Sequence, residues 1–158
     1  MTAKTDNHKE IRVQAIKNGT VIDHLPASFG LLIIKLLGGI PARKIVTLGS
    51  NLKSRARGLK DLIKIEGREL TESEVNKIAL LAPHATINIV RDYRVIKKIK
   101  PHLPEIIKGA VSCPNPRCIT NHEIISTIFH TRIDKKIVTL SCHYCEKQFS
   151  QAEIVKYV

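Results

Sequence analysis

Four cysteines in two close pairs are the residues of this sequence best suited to chemistry. The first pair is Cys113-Pro-Asn-Pro-Arg-Cys118 and the second is Cys142-His-Tyr-Cys145. Each pair can be presented by a short turn, and two such turns can surround one ion with the tetrahedral sulfur shell that structural zinc prefers. The spacing therefore predicts one structural Zn²⁺ per chain, bound by all four cysteines.

Two disulfides, or four unrelated thiols, are the alternative interpretations. Disulfides need an oxidising compartment, and the first ten residues have neither the apolar core nor the small-residue cleavage site of a secretory signal. We therefore expect reduced thiols in the cytoplasm. His122, His130 and His143 lie near the cysteines, but a full sulfur shell favours exposed or hydrogen-bonding roles for them.

We expect no catalytic role for this chain. A closed sulfur shell leaves no open position where a water molecule could be activated. The sequence also contains no HExxH, GxxxxGK(S/T) or GxGxxG motif.

The net charge of +12 is unevenly distributed along the chain. Residues 1–100 contain 19 Lys and Arg residues against 9 acidic ones, whereas residues 101–158 contain 7 against 5. The cysteine-containing part is therefore nearly neutral, which argues against a nucleic-acid-binding zinc finger. The basic N-terminal part favours a polyanionic partner, which is a nucleic acid, a phosphorylated small molecule or an acidic protein surface.

A phosphorylated small molecule is the favoured polyanion. Aromatic residues make up only 4% of the chain, so stacking platforms for unpaired bases are scarce. The alternative is a stand-alone zinc protein that binds RNA or DNA through its basic first domain. No apolar run reaches the length of a membrane span, and we expect no membrane partner.

The pattern of apolar residues predicts an α+β chain with two domains. The element order of residues 1–100 is β-α-β-β-α-β with a final strand, which indicates a ferredoxin-like sandwich, followed by a small antiparallel-β zinc domain over 101–158. In the first domain we expect strands at 11–16, 20–22, 45–48, 59–66, 85–90 and 93–99, with a loop at 49–58. Its two helices are expected at 27–37 and from the capping box Thr71-Glu-Ser-Glu74 to Pro83. A linker at 100–105 and strands at 124–130 and 136–140 are expected to follow.

Asp23-His24 and Lys64 are candidates for binding a ligand. Asp23-His24 follows a predicted strand, where a carboxylate can accept hydrogen bonds from ribose hydroxyls. The alternative is that the pair satisfies backbone donors at the start of the next helix. Lys64 belongs to an alternating strand that places it on one face with Leu62 and Glu66, where it either binds an anion or faces water.

Lys97 and Lys98 present a choice between two faces of the last strand. Neighbouring residues of a strand point to opposite sides, so at most one of these lysines shares a face with Tyr93 and Val95. In an unbulged strand that residue is Lys97, whereas a bulge turns Lys98 to that face. The residues alone leave both possibilities open.

Several segments in a fixed order, spanning nearly the whole chain, have a common resemblance. They are Ala15-Ile-Lys-Asn-Gly-Thr-Val-Ile-Asp-His24, Lys60-Asp-Leu-Ile-Lys-Ile-Glu66, Leu80-Leu-Ala-Pro-His-Ala-Thr-Ile-Asn88, Leu103-Pro-Glu105, the Cys113 to Cys118 pair and Cys142-His-Tyr-Cys145-Glu-Lys-Gln-Phe149-Ser150. Together they resemble the regulatory chain of aspartate carbamoyltransferase. The resemblance implies a non-catalytic subunit whose partner catalytic chain joins carbamoyl phosphate to aspartate in pyrimidine biosynthesis.

The same resemblance implies how the two domains work. Residues 1–100 are expected to bind nucleoside triphosphates (CTP, ATP and UTP) and to self-associate, and residues 101–158 to dock on the catalytic chain. The implied assembly is a hetero-oligomer of catalytic trimers and regulatory dimers. Asp23 is expected to hold the ribose, Lys64 the sugar or base edge, and Lys98 the phosphates. The full implied nucleotide site is Val13, Ala15, Ile16, Val21, Asp23, His24, Lys64, Asn88, Val90, Tyr93, Val95 and Lys98.

Overall fold

Two antiparallel β-sheets organise the chain in the computed structural model, which describes residues 14–135 and 137–158. The first sheet contains β1 (Gly19–Pro26), β2 (Val46–Ser54), β3 (Gly58–Glu66), β4 (Thr86–Arg91) and β5 (Arg94–Ile99), with helices α1 (Gly30–Leu36) and α2 (Glu72–Ile78). Its strand order is β2-β3-β1-β4-β5. The predicted α+β, ferredoxin-like order is confirmed, and β5 is the predicted final strand.

Three features of the N-terminal part differ from the sequence-based prediction. Residues 14–16 of the predicted strand 11–16 are outside any sheet, and residues 11–13 lie outside the described part of the chain. The predicted strand 20–22 is instead one strand of eight residues, β1. The predicted loop 49–58 is mostly strand, because a register shift between Gly49 and Leu52 lets a polar segment continue the pairing of β2 with β3.

Both helices are shorter than predicted. α1 begins at Gly30 instead of residue 27, because residues 24–26 still belong to β1. α2 begins at the predicted capping box, in which the Thr71 hydroxyl and the Glu74 side chain each accept a hydrogen bond from the other's backbone amide. It ends at Ile78, before the predicted stop at Pro83, and residues 79–82 continue as tight turns with buried side chains.

The apolar core of the first sheet lies between the strands and the helices. Ile22, Ile63 and Ile87 on neighbouring strands, and Ile33 and Ile78 on the helices, have no exposed surface. Alternate residues of a strand point to opposite faces, so the remaining side chains of these strands lie on the side away from the helices. We call that side of the five-stranded sheet the open face.

A buried carboxylate, Asp61, fixes the start of α1. Its side chain is 1% exposed and accepts hydrogen bonds from the backbone amides of Gly30 (2.8 Å) and Asn51 (2.9 Å) and from the Ser50 hydroxyl (3.1 Å). Burial acts to raise the pKa of Asp61, but these donors hold it below its ordinary value. The carboxylate at the start of the helix is therefore Asp61, and not Asp23 of the alternative interpretation.

Replacing Asp61 with asparagine should lower the free energy of unfolding by about 2 to 3 kcal/mol, because an amide NH₂ would face a backbone donor in a buried site. The pKa of Asp61 is lower in the folded state than in the unfolded state. The contribution of Asp61 to the stability of the fold is therefore complete above the unfolded-state pKa of about 3.9. It is lost as the pH falls through the lower, folded-state pKa. Urea unfolding over a pH series measures both effects, with the exposed Asp92→Asn as control. Equal losses in the two variants would contradict this role.

The second sheet is smaller and has the order β6-β7-β8-β9. Its strands are β6 (Ile106–Lys108), β7 (Ile128–Asp134), β8 (Ile137–Cys142) and β9 (Gln148–Ser150), followed by α3 (Gln151–Ile154). Phe129 and Phe149 pack edge to face, with ring centroids 6.4 Å apart, on a core that includes Leu140 and Ile154. The predicted strand 124–130 is found later, as β7, and the first residue of the predicted strand 136–140 lies outside the described residues.

The predicted linker 100–105 has no regular structure and is held against the first domain. The His102 amide donates to the Asn76 side-chain oxygen of α2 (3.3 Å), and the Gln151 side chain of α3 donates to the Leu80 carbonyl. These contacts join the two parts of the chain. Among the described residues, no helix has the length and apolar character needed to cross a membrane.

Candidate functional site

The four cysteines converge on one point in the C-terminal part. Their Sγ atoms lie within 4.8 Å of one another, and the sulfurs of Cys113 and Cys145, like those of Cys118 and Cys142, are 3.8 Å apart. Four sulfurs about 2.3 Å from a central ion would be about 3.8 Å apart, whereas a disulfide bond measures about 2.05 Å. The geometry fits a tetrahedral metal site and excludes the disulfide interpretation.

Hydrogen bonds fix the turns that present these sulfurs. The Thr120 hydroxyl donates to the Cys118 sulfur (3.2 Å), and the Asn121 side chain donates to the carbonyls of Cys113 (2.9 Å) and Asn115 (2.8 Å). Burial raises the pKa of the Cys113 thiol. Four thiolates in such a site would repel one another, so a cation is needed to hold them together.

Four of the predicted nucleotide-site residues form one row across the open face. In the strand register, Lys64 of β3 lies opposite Val21 of β1, Val21 opposite Asn88 of β4, and Asn88 opposite Lys98 of β5. Directly opposed residues of antiparallel strands have their side chains on the same face. The row therefore places a lysine on each side of Val21 and Asn88.

A bulge in β5 determines which of the two adjacent lysines belongs to this face. The pairing of β5 with β4 shifts between Ile89 and Val90, so that Lys97 lies opposite Ile89 and Val95 lies opposite Val90. Val95 and Lys98 consequently share the open face, although they are three residues apart. Lys97 points to the other side, where it lines a cavity beside α2.

Asp23 and His24 lie at a second bulge, in β1. The register of β1 with β3 shifts between Ile22 and Leu25, and His24 has a φ of 60°, which is uncommon for a residue with a side chain. The Asp23 carboxylate accepts hydrogen bonds from the Lys60 ammonium (2.7 Å) and the His24 amide (2.6 Å). Burial acts to raise the pKa of Asp23. The hydrogen bond from Lys60 and the positive charge of Lys60 bring this pKa below its ordinary value.

Lys60 is a cation at this site that the sequence analysis did not select. Strand alternation places it on the same face of β3 as Lys64, so the signal was present in the even spacing of the two lysines. The Nδ1 atom of His24 is buried and has no hydrogen-bond partner among the described residues. This end of the open face thus contains a paired lysine, a carboxylate and an unsatisfied imidazole nitrogen.

The segment before β1 passes beside the same row. The Lys64 ammonium donates to the Gln14 carbonyl, and burial lowers the pKa of Lys64. Ala15 is exposed and Ile16 is buried. Val13, the first residue of the implied nucleotide site, lies outside the described residues.

Tyr93 lies at the opposite end of the open face, in the turn between β4 and β5. Asp92 and Tyr93 both have positive φ values, 47° and 62°, and the Tyr93 amide donates to the Lys17 carbonyl (3.0 Å). The Tyr93 side chain is 66% exposed. On the two strands joined by this turn, Val90 of β4 is buried and Val95 of β5 is half exposed.

Comparison with known proteins gives matches along both parts of the chain. Residues 11–102 match the family model for the aspartate carbamoyltransferase regulatory chain, allosteric domain, and residues 105–155 match the model for the metal binding domain of the same chain. This chain belongs to the aspartate carbamoyltransferase regulatory chain family. It is a regulatory, non-catalytic chain with an allosteric domain and a metal-binding domain, as the resemblance implied.

Individual members of the family are similar over almost their full length. The aspartate carbamoyltransferase regulatory chain of Pyrococcus abyssi is 49% identical over 148 residues, covering 92% of this chain and 97% of the relative. The regulatory chain of Aeromonas hydrophila is 48% identical over 142 residues, covering 90% and 92%. That of Thermococcus kodakarensis is 44% identical over 149 residues, covering 94% and 97%.

Proposed function

We propose that this regulatory chain binds nucleoside triphosphates on the open face and transmits their effect to the catalytic chain of aspartate carbamoyltransferase. CTP, ATP and UTP are the proposed effectors, and control of pyrimidine biosynthesis in the cytoplasm is the proposed outcome. The observation that supports this most is the row of Lys64, Val21, Asn88 and Lys98 across four strands.

The chemistry of this row suits a nucleotide. Lys98 is exposed and, in the proposed complex, neutralises the phosphates, for which an ammonium is an effective point charge. Asp23 accepts hydrogen bonds from ribose hydroxyls, and Lys64 and Asn88 contact the sugar or base edge. We add Lys60 to the site, because its ammonium is already placed beside Asp23 (2.7 Å).

Zn²⁺ is the proposed metal of the four-cysteine site, with a structural role. Bound zinc would supply the charge that holds four thiolates together, and the closed sulfur shell leaves no position for a substrate. Residues 101–158 are too few to bury a large core of their own. In our proposal this domain is the part that docks on the catalytic chain.

Coupling between the two sites requires a difference in binding free energy between quaternary states, typically of about 1 to 3 kcal/mol. Residues 1–100 and 101–158 are the proposed allosteric and docking domains. The contacts of Asn76 with His102 and of Leu80 with Gln151 join them and give the signal a physical route. The proposed assembly combines regulatory dimers with catalytic trimers.

Mixing this chain with an aspartate carbamoyltransferase catalytic chain should give one complex larger than either component. Size-exclusion chromatography with light scattering measures its mass, and a thiol reagent that removes the metal should release the catalytic subunits intact. Separate elution of the metal-loaded components would contradict the docking role. Salt-dependent binding of an RNA or DNA oligonucleotide, without binding of any triphosphate, would instead favour the stand-alone zinc protein.

A further inference from the structure

A pair of histidines on the second sheet, His130 and His143, is part of neither ligand set described above, although His143 lies in the turn between Cys142 and Cys145. His130 of β7 pairs with Ser141 of β8, and His143 follows Ser141 by two residues. In antiparallel strands such diagonal neighbours share a face and are within reach of long side chains. The His143 amide donates to the Ile128 carbonyl (2.8 Å), which continues the pairing of the two strands beyond β8. Two exposed imidazoles are thereby held on one surface by the backbone of two paired strands.

The two rings approach each other through their nitrogen atoms. His130 Nε2 and His143 Nδ1 are 3.2 Å apart, and the ring planes are inclined by 44°. Two imidazole nitrogens bound to one ion at about 2.0 to 2.1 Å lie about 2.8 to 3.4 Å apart, for bond angles between octahedral and tetrahedral. The nitrogen separation falls within that range, and the rings, whose centroids are 5.4 Å apart, would have to tilt slightly for both nitrogens to face one ion. A direct hydrogen bond between neutral rings is the competing explanation for the same distance.

Neighbouring side chains restrict the motion of one of the two rings and line a cavity beside the other. The Tyr144 ring packs edge-on against His143, with centroids 5.2 Å apart, and restricts the motion of that imidazole. A cavity of about 360 Å³ beside His130 is lined by Ser141 and Gln148, whose polar groups can hold water molecules in the remaining coordination positions. Arg132 lines the same cavity, and its charge opposes the binding of a cation.

We propose that His130 and His143 form a second metal site, which binds a divalent transition-metal ion such as Ni²⁺ or Zn²⁺. Imidazole nitrogen is a ligand that both ions accept. The site is open, because the protein supplies two ligands and water supplies the others. None of its ligands is one of the four cysteines, and the proposal does not rest on nucleotide binding or on docking to a catalytic chain.

Calorimetric titration of Ni²⁺ into the zinc-loaded full chain tests this proposal. We expect one Ni²⁺ per chain at this site, with zinc content, measured by mass spectrometry, remaining at one ion per chain. His130→Asn and His143→Asn should each weaken that binding by about tenfold or more, because an amide can replace the imidazole in a hydrogen bond but is a poor ligand for Ni²⁺. The exposed His84→Asn and His102→Asn are matched controls that should leave it unchanged.

A third variant separates a metal site from a general effect on folding. Arg132→Gln should tighten Ni²⁺ binding several-fold, because it removes a positive charge from the cavity wall. Paramagnetic broadening of the His130 and His143 ring signals gives a second readout. Absence of the additional Ni²⁺, or equal binding by wild type, His130→Asn and His143→Asn, would overturn the proposal and leave the rings as a hydrogen-bonded pair.

Discussion

Replacing Cys142 with serine should unfold the C-terminal sheet while the five-stranded sheet remains folded. Structural zinc contributes an apparent free energy of about 10 to 16 kcal/mol in small modules, which is comparable to or larger than the net stability of about 5 to 15 kcal/mol of a whole domain. The four-stranded sheet has a small core, in which Cys142 itself is 1% exposed. Loss of one sulfur therefore removes most of what stabilises this part of the chain.

Hydrogen exchange distinguishes this outcome from global unfolding. In the Cys142→Ser variant, the amides of Phe129 and Leu140 should lose protection, whereas those of Ile22 and Ile63 should keep it. Ser141→Ala changes the neighbouring residue without removing a sulfur and is the matched control. Retained protection of β7 and β8 in Cys142→Ser would show that the metal is not required for folding.

Replacing Lys98 with alanine should weaken the binding of CTP and ATP by about ten- to a hundredfold. Hydrogen bonds to charged groups typically contribute about 1.5 to 3 kcal/mol, which corresponds to that range. Lys97→Ala removes the same charge one residue earlier but from the opposite face of β5. It is a matched control for net charge and should change the dissociation constants little.

Isothermal titration calorimetry of the two variants measures this difference. Equal weakening by Lys97→Ala and Lys98→Ala would mean that only the overall positive charge matters. Unchanged affinity in Lys98→Ala would remove the phosphate role assigned to it. Lys64→Ala should also weaken binding, since Lys64 lies in the same cross-strand row.

The sequence predicted well where the signal lies in closely spaced residues. The four-cysteine cluster follows from the two short spacings, because each pair needs one turn to present both sulfurs. The start of α2 follows from Thr71 and Glu74, which satisfy each other's backbone amides three residues apart. The burial pattern of β3 follows from strict alternation between Asp61 and Glu66.

The structural features that the sequence did not predict depend on pairing between segments that are distant in the chain. The bulge in β5 that turns Lys98 to the open face is a property of the register with β4, and alternation along one strand cannot locate it. β2 was predicted as a loop from residue 49 onward because its polar composition resembles a turn, although β3 pairs with it. The partners of Asp61 are 10 to 31 residues away, so no local pattern indicates its role at α1.

In the proposed function, a triphosphate on the open face alters the activity of a catalytic chain through this regulatory chain. The most direct measurement is the aspartate saturation curve of the reconstituted complex, with and without saturating CTP or ATP. We predict that each effector shifts the curve of the wild-type complex, and that Lys98→Ala needs about ten- to a hundredfold more effector for the same shift, while the complex keeps its size. An unchanged effector concentration for the shift with Lys98→Ala, or the same shift with the catalytic chain alone, would contradict the proposed coupling.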